Sequence, residues 1–275
     1  MESADLDRVQ QVLCEAYRRP AASFPLEQRM ATAPRDWLVA DLEGELCGSV
    51  SAADYAGTAY IGMMAVAPAV QRRGVGAALM ERILQLLDLR GTKTILLDAS
   101  DAGAGLYRRY GFHDVDRVCV YKAPALAPAR ARPHFAIAIE KIRSNVALEE
   151  TGALDRRVFG CDRRTVLQRF VADAADGCML ARRKGNELAG YLIVRGGTIG
   201  PWTATSASSA CALLQAVPAL PMAVTAFVPQ SNEQAVRLLA ARGLTLERTL
   251  AHMVRGSPSP VRRLWLYGQA SLGTG

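Results

Sequence analysis

Two short segments of the chain contain residues whose types and spacing could carry out chemistry. The first runs from Gln71 to Ala77 and places two arginines directly before a Gly-x-Gly step. The second is Tyr107, which stands four residues before Gly111. Backbone amides freed by glycines suit a bound anion such as a phosphate, and a phenol can donate a proton or a hydrogen bond to a departing group. The two segments together predict a site that holds an anionic ligand and assists a leaving group.

The first segment connects a predicted strand ending at Val66 to a predicted helix beginning at Val75. Such a junction directs unpaired N–H groups and the positive end of the helix dipole at one point. Glycine lacks a Cβ, so the main chain can turn tightly and approach a diphosphate closely. The predicted ligand-binding residues of this loop are Gln71, Arg72, Arg73, Gly74, Val75, Gly76 and Ala77.

Two other phosphate-binding motifs do not fit this loop. No Lys-Ser/Thr pair follows the glycines, as a nucleotide P-loop requires, and the spacing is not G-x-G-x-x-G. The segment Val66–Ala77 instead resembles the acetyl-coenzyme A loop of the GNAT superfamily of N-acetyltransferases, whose pattern is Q/R-x-x-G-x-G/A after a strand and a V-x-P step. Gln71, Gly74 and Gly76 match that pattern.

The segment from Leu106 to Phe112 resembles the second GNAT signature, Y-x-x-x-G-F, at the expected distance from the loop. The resemblance implies that Tyr107 is the catalytic acid, because acyl transfer from a thioester expels a thiolate. It also implies that Gly111 ends the helix and that Phe112 packs beneath the sheet. Tyr110 is interpreted as a packing residue.

The strand before the loop supplies the other predicted contacts. In the superfamily its backbone polarises the thioester carbonyl and pairs with the pantetheine amides, which implies roles for Met64, Ala65 and Val66. A main-chain N–H is a fixed donor for a developing oxyanion.

The general base is less clearly marked, because this strand lacks the Glu or Asp that many relatives use. Asp98 is the nearest acidic candidate and is predicted to be catalytic, although an Asp there can also cap a helix or lie in a turn. His113 and solvent are the alternatives. The Asn that the family often has before the catalytic helix is missing, with Ser100 near its place.

The elements that must position these residues are read from hydrophobic periodicity. Helices are predicted at Val9–Tyr17, Val75–Leu89 and Gly103–Tyr110. Strands are predicted at Trp37–Asp41, Leu46–Ala52, Tyr60–Val66, Thr94–Leu97 and Val118–Tyr121. This alternation predicts an α/β fold, and the resemblance implies a mixed, mostly antiparallel sheet flanked by helices.

The second half of the chain repeats this order in a degraded form at an offset of roughly 132 to 134 residues. Ala78-Leu79-Met80 aligns with Ala212-Leu213-Leu214, and Tyr110-Gly111-Phe112 with Arg242-Gly243-Leu244. The candidate functional residues are not repeated. Ser208 and Ala210 stand opposite Gly74 and Gly76, and Leu239 stands opposite Tyr107. The order, with Ile199-Gly200-Pro201-Trp202, resembles a bacterial subgroup in which a degenerate GNAT-like domain follows the first. Trp202 could line the acceptor cleft, but core packing is the preferred interpretation.

A proline-rich stretch separates the two halves. We therefore predict a catalytic domain at residues 1–124, a linker at 125–133 and a degenerate domain at 134–275 that closes the acceptor cleft. The length of 275 residues agrees with two domains.

Composition excludes several classes of function. Residues 1 to 122 carry 14 Lys/Arg against 16 Asp/Glu and the rest carry 19 against 10, but the arginines of the basic half are not clustered with aromatics, so no nucleic-acid partner is expected. The six cysteines are dispersed without a C-x-x-C, so neither a metal site nor a disulfide framework is expected. No segment approaches the roughly 18 apolar residues of a membrane span, and the acidic start lacks a signal pattern. A cytoplasmic protein without a membrane partner is expected.

Together these features predict an acetyl-coenzyme A dependent N-acetyltransferase that acts on a primary amine of a small molecule by direct attack, as a monomer or homodimer. A protein N-terminus or lysine as acceptor is one alternative. A non-catalytic coenzyme A binding regulator is the other.

Overall fold

The computed structural model describes residues 1–21, 24, 26–27, 37–129, 136–174 and 176–275. Residues 130–133 of the predicted linker lie outside this described part. Within it the chain forms two compact units that are not simple halves. The first consists of Met1–His113, Met253–Ser259 and Thr274, and the second of Asp114–His252, Pro260–Gly273 and Gly275.

This division differs from the predicted boundary at residue 124. The segment after His113 belongs to the second unit, where its residues Val118–Ala123 pair with Val224–Pro229. Met253–Ser259 belongs to the first unit, where the Ser257 amide donates a 2.8 Å bond to the Lys93 carbonyl. Both segments lie on the other side of the predicted boundary because they pair with residues distant in sequence. A change in composition along the chain does not reveal such pairing.

The first unit contains three of the α-helices that the structure describes and four complete strands. In chain order they are α1 (Leu6–Tyr17), β1 (Trp37–Leu42), β2 (Glu45–Asp54), β3 (Thr58–Val66), α2 (Val75–Leu89), β4 (Thr94–Ala99) and α3 (Asp101–Arg109). The predicted elements are confirmed, with α2 at the predicted bounds. Helix α3 begins two residues early because the Ser100 hydroxyl caps it, accepting a bond from the Gly103 amide at 3.3 Å.

Strands β1, β2 and β3 are antiparallel neighbours, and β4 joins β3 in parallel. Helix α2 lies close to β2 because Gly48 has no side chain. A Cβ at Gly48 would come within 3.0 Å of Leu79 and 3.2 Å of both Val75 and the Ala65 carbonyl. The glycine therefore fixes the start of α2 near the end of β3.

The second unit has four described α-helices and a longer sheet. Its elements are β5 (His113–Ala123), β6 (Ile137–Lys141), α4 (Asn145–Phe159), α5 (Arg164–Asp173), β7 (Cys178–Arg183), β8 (Leu188–Arg195), β9 (Thr198–Ala204), α6 (Ala207–Ala216), β10 (Val224–Pro229), α7 (Glu233–Ala241), β11 (Thr245–Gly256) and β12 (Leu266–Gly268). The sheet runs β5-β10-β9-β8-β7-β6, with the first part of β11 beside β5 and with β12 against β9. The predicted mixed, mostly antiparallel sheets flanked by helices are thus present.

Two features of the second unit bear on the sequence predictions. Leu126, within the predicted linker, is buried and exchanges backbone hydrogen bonds with Leu220, so this part of the linker packs as structure. Trp202 is fully buried with its ring 5.1 Å from that of Tyr267. Trp202 is therefore a core residue, as the preferred interpretation had it.

The internal repeat is visible in how α3 and α7 end. After α3, Gly111 adopts φ +84° and the Phe112 amide donates to the Tyr107 carbonyl at 3.3 Å. After α7, the next glycine has φ +85°, and the following amide donates to the Leu239 carbonyl at 3.1 Å. Tyr107 and Leu239 therefore occupy the same place in the two units, as the offset predicted.

Two further findings concern only the described residues. None of their helices combines the length and apolar character needed to cross a bilayer. Nor do their His, Cys, Asp and Glu side chains form any group of three or more that could hold a metal ion.

Candidate active site

Strands β3 and β4 separate part of the way along their length. Their parallel ladder ends at the pair Ile61–Leu97, although β3 continues to Val66 and β4 to Ala99. On the other side of β3, Val50 faces both Met63 and Met64, which is a β-bulge, and Met63 has φ +53°. A bulge bends and twists its strand. The predicted pantetheine contacts, Met64 to Val66, begin within this bulge and lie where the two strands diverge.

The loop that leaves β3 is tied back to the strand end. The Gln71 side-chain amide donates a 3.0 Å bond to the Val66 carbonyl oxygen, and the Ala67 amide donates a 2.8 Å bond to the Cys47 carbonyl of β2. Gln71 thus shapes the loop from within. This role differs from direct ligand contact and explains why a carboxamide suits the position.

The start of α2 presents unpaired backbone donors. Gly74 is its N-cap residue with φ +90°, and no side chain caps the helix. The first bond of the helix runs from the Ala78 amide to the Gly74 carbonyl at 3.0 Å, so the amides of residues 75–77 precede the regular ladder. Arg72 also has positive φ, at +63°, and successive N–H groups in such a turn form an anion-binding concavity.

Positive charge adjoins these amides. The side chains of Arg72 and Arg73 are exposed, and neither forms an ion pair with any residue in the described part of the chain. Open amides, a helix N-terminus and two cationic side chains are what a diphosphate requires. The loop therefore fits the anionic portion of a nucleotide cofactor.

Tyr107 lies at the end of α3 and is buried to 9% exposure. Its ring packs edge-on against Phe112 at 6.2 Å between centroids. Burial raises the pKa of its phenol well above the ordinary value, and the nearby Tyr17 phenol raises it further. Among the described residues none makes a hydrogen bond to this hydroxyl. Tyr107 therefore stays protonated at neutral pH and can donate a hydrogen bond to a ligand atom.

Asp98, the candidate base, accepts a 2.5 Å hydrogen bond from the Tyr60 hydroxyl. It does not cap α3, since Ser100 does. Tyr60 is buried on β3 and pairs with Leu96, two residues before Asp98, so the two side chains share a face of the sheet. His113, the alternative base, is exposed at the first residue of β5.

Tyr17 is a further candidate site residue, which the sequence patterns did not reveal. Its ring stacks beside Phe24 at 5.7 Å, it is 41% exposed, and its hydroxyl donates a 2.9 Å bond to the Met64 carbonyl. The periodicity identified Tyr17 only as the last residue of α1. Its proximity to β3 arises from packing of α1 across the sheet, which helix periodicity does not specify.

Tyr110 and Cys47 have structural roles in this unit. The Tyr110 hydroxyl donates a 3.0 Å bond to the Ala77 carbonyl and so joins the end of α3 to the first turn of α2. Cys47 is buried, and its burial raises the pKa of the thiol. A buried thiol that stays protonated is a poor nucleophile.

Comparison with known proteins identifies the class. Two family models described as acetyltransferase (GNAT) domains match the chain, one over residues 33–114 and one over residues 152–268. Together they span more than half of the sequence, and the chain therefore belongs to the GNAT acetyltransferases. It is, more particularly, an acyltransferase with two GNAT domains in tandem. No curated protein matches the sequence.

Solved structures share this architecture over nearly the whole chain. A putative acetyltransferase from Pyrococcus horikoshii is 26% identical, with a TM-score of 0.83 over 99% of this chain and 93% of that one. A GCN5-related N-acetyltransferase from Sphaerobacter thermophilus is 13% identical, with a TM-score of 0.65 over 95% of this chain and 96% of that one. A tandem GNAT protein from the clavulanic acid biosynthesis pathway is 17% identical, with a TM-score of 0.58 over 94% of this chain and 98% of that one. The last two show likeness of fold.

Proposed function

We propose that the first unit binds acetyl-coenzyme A and transfers its acetyl group directly to a primary amine of a small molecule. The observation that carries the proposal is the set of uncapped amides at the start of α2, next to Arg72 and Arg73. These groups would hold the diphosphate, and the bulged end of β3, from Met64 to Val66, would pair with the pantetheine amides.

The bound cofactor would supply an acetyl thioester at the point where β3 and β4 diverge. The amine nitrogen attacks the thioester carbonyl carbon, the C–S bond breaks, and the thiolate departs while the amine gives up a proton. Tyr107 would donate a hydrogen bond to the sulfur as negative charge develops on it. Because burial raises the Tyr107 pKa, this hydrogen-bonding role is favoured over complete proton transfer.

The proton released by the amine needs an acceptor. We assign that role to Asp98, whose carboxylate the Tyr60 hydroxyl orients. Direct attack is supported because Cys47, which lies on β2 next to the loop, is buried with a raised thiol pKa. An acyl-cysteine intermediate would need a reactive thiolate.

The proposed acceptor is cationic, because residues 1 to 122 have more acidic than basic side chains, which favours cationic ligands. We propose small-molecule amines such as amino sugars, aminoglycosides, polyamines or amino acid derivatives, with a protein N-terminus or lysine as the alternative. Nucleic acid and membrane partners are not part of the proposal, and a monomer or homodimer in the cytoplasm remains the expected state.

The test is an amine panel presented with acetyl-coenzyme A while free thiol is followed, with histone-like peptides and a protein N-terminal peptide in parallel. Thiol release that depends on a small amine supports the proposal, whereas release only with peptides assigns a protein acceptor. Binding of acetyl-coenzyme A without turnover on any amine would leave a non-catalytic cofactor-binding protein.

A further inference from the structure

Two neighbouring parallel strands also diverge in the second unit, but there the space between them is occupied by another part of the chain. Strand β9 precedes α6 as β3 precedes α2. Its parallel pairing with β10 is the single pair Thr198–Thr225. On its other side, Ile193 of β8 faces both Gly200 and Pro201, because the register shifts between Leu192–Trp202 and Val194–Ile199. This bulge corresponds to the one at Met63 and Met64.

Strand β12 occupies the space beyond this bulge. Leu266 pairs with Thr203, and Gly268 pairs with Trp202, both antiparallel. One residue later, the Gln269 amide donates a 2.7 Å bond to the Phe227 carbonyl of β10. The C-terminal segment thus bonds to both strands that diverge. In the first unit this space is where the pantetheine arm is proposed to lie.

Glycines allow this close approach of two backbones. Gly268 lies so near β9 that a Cβ would meet the Ile199 carbonyl at 3.0 Å. At Gly200, with φ +153°, a Cβ would come within 2.2 Å of the Gln269 carbonyl oxygen. Any side chain at Gly200 would therefore collide with the inserted segment. The Gly-Pro-Trp step seen in the sequence marks this contact.

Asn232 binds the inserted segment through its amide. It caps α7 as Ser100 caps α3, its Oδ1 accepting a 3.1 Å bond from the Ala235 amide. Its Nδ2 donates to the carbonyls of Leu264 at 3.2 Å and Leu266 at 3.0 Å. The side chain is almost completely buried. A carboxamide at this position can bind peptide carbonyls, which a pantetheine arm also presents.

The diphosphate loop has no counterpart in this unit. Eight residues separate β3 from α2, but only two separate β9 from α6. Helix α6 is capped by the Ser206 hydroxyl, which accepts a 3.2 Å bond from the Ser209 amide. The N-terminus of α2 has no side-chain cap, whereas the N-terminus of α6 is capped by Ser206. Leu239 also stands in the place of Tyr107.

From these contacts we infer that the groove of the second unit is a strand-binding site whose ligand is residues 264–270 of the same chain, held in the place of a pantetheine arm. The chain therefore binds one acetyl-coenzyme A, in the first unit. The inference rests on the proposed function only for the identity of the cofactor.

Hydrogen exchange followed by mass spectrometry tests the occupant directly, with and without acetyl-coenzyme A. Without cofactor, peptides covering residues 264–270 should exchange slowly, at rates similar to those of β9 and β10. With saturating acetyl-coenzyme A, peptides from residues 62–77 should gain protection and those from 199–208 and 264–270 should not change. Calorimetry should give one equivalent of acetyl-coenzyme A per chain.

Asn232→Ser is the informative variant, since it keeps an N-cap hydroxyl as at Ser100 but removes both bonds to the segment. Loss of such bonds should speed exchange of residues 264–270 by roughly tenfold, with α7 unchanged. Glu233→Gln is the matched control, because the side chain of this neighbouring residue bonds to Arg237 of the same helix and not to the inserted segment. Unchanged circular dichroism and α7 exchange verify that the variant folds.

Two results would overturn the inference: fast exchange of residues 264–270 in the wild type, or a second equivalent of acetyl-coenzyme A that deprotects this segment. An Asn232→Ser protein with wild-type exchange would also contradict it. If acetyl-coenzyme A does not bind at all, the proposed function fails, while exchange in the cofactor-free protein still decides whether the strand fills the groove.

Discussion

The hydroxyl of Tyr17, at the end of α1, donates a 2.9 Å hydrogen bond to the carbonyl oxygen of Met64 in the bulge of β3. The Tyr17 phenol is also near enough to Tyr107 to raise the pKa of that residue. One half-exposed side chain thus links the strand proposed to hold the thioester with the proposed hydrogen-bond donor. The acceptor amine would have to approach this same surface.

Tyr17→Phe tests whether the hydrogen bond from Tyr17 to Met64 holds the bulge of β3 in the geometry that acetyl transfer needs. Loss of one hydrogen bond to the bulge should lower kcat/KM for the amine by about three- to tenfold. The dissociation constant of acetyl-coenzyme A should change less than twofold, because the diphosphate loop is untouched. Tyr110→Phe is the control, since it removes a phenol bonded to Ala77. Equal losses in both variants would mean that Tyr17 acts only through packing.

Tyr107→Phe removes the proposed donor to the departing sulfur. The ring and its contact with Phe112 remain, so folding and cofactor affinity should be nearly unchanged. The loss of a donor that acts on developing charge should lower kcat by roughly ten- to a hundredfold. Steady-state thiol release measures kcat, and fluorescence titration measures affinity. Wild-type kcat in this variant would remove Tyr107 from the mechanism.

Gly74→Leu tests the diphosphate loop. A leucine at φ +90° is strained by about 1–2 kcal/mol, and its side chain would project into open space beside the amides of residues 75–77. Acetyl-coenzyme A affinity should fall at least tenfold. Gly91→Leu is matched, since Gly91 has φ +74°, has equally open surroundings and follows the other end of α2. Undiminished affinity in Gly74→Leu, or an equal loss in Gly91→Leu, would contradict the loop assignment.

The local parts of the fold were predictable because their signals are local. The bounds of α2, the turn at Gly74 and the end of α3 at Gly111 follow from periodicity and from glycine positions in a few adjacent residues. The internal repeat was also visible, because Leu239 keeps the place of Tyr107 while losing its chemistry.

The remaining features depend on pairing between distant residues. The bond of Tyr17 to Met64 and that of Tyr60 to Asp98 join residues 47 and 38 positions apart. The assignment of Met253–Ser259 to the first unit and the insertion of β12 beside β9 involve still longer separations. No periodicity or motif in a single sequence encodes such partners, so the predicted boundary at 124 differed from the observed units.

Asp98→Asn tests the assignment of the base. The amide oxygen can still accept the Tyr60 hydrogen bond, so the local structure should persist while the proton acceptor is lost. We expect kcat to fall by about a hundredfold with little change in cofactor affinity. His113→Ala, at an exposed position, should retain wild-type kcat. If Asp98→Asn keeps full activity, solvent is the proton acceptor.

Alkaline stability gives a test that does not depend on the acceptor. Burial raises the pKa of Tyr107 and of Tyr191, whose hydroxyl donates to Asp155. The unfolded chain ionises its phenols near pH 10, whereas these two keep their protons in the folded state. The unfolded state then binds fewer protons, so the free energy of unfolding must fall as pH rises above about 10.

Each retained proton contributes about 1.4 kcal/mol per pH unit to that fall. Tyr107→Phe should therefore make the urea-unfolding free energy fall less steeply between pH 10 and 11.5, by the contribution of about one retained proton. A Tyr107→Phe protein with the wild-type slope would show that the Tyr107 phenol ionises normally in the folded protein. Such a phenol would be a stronger acid, and complete proton transfer to the thiolate would then replace hydrogen bonding as its role.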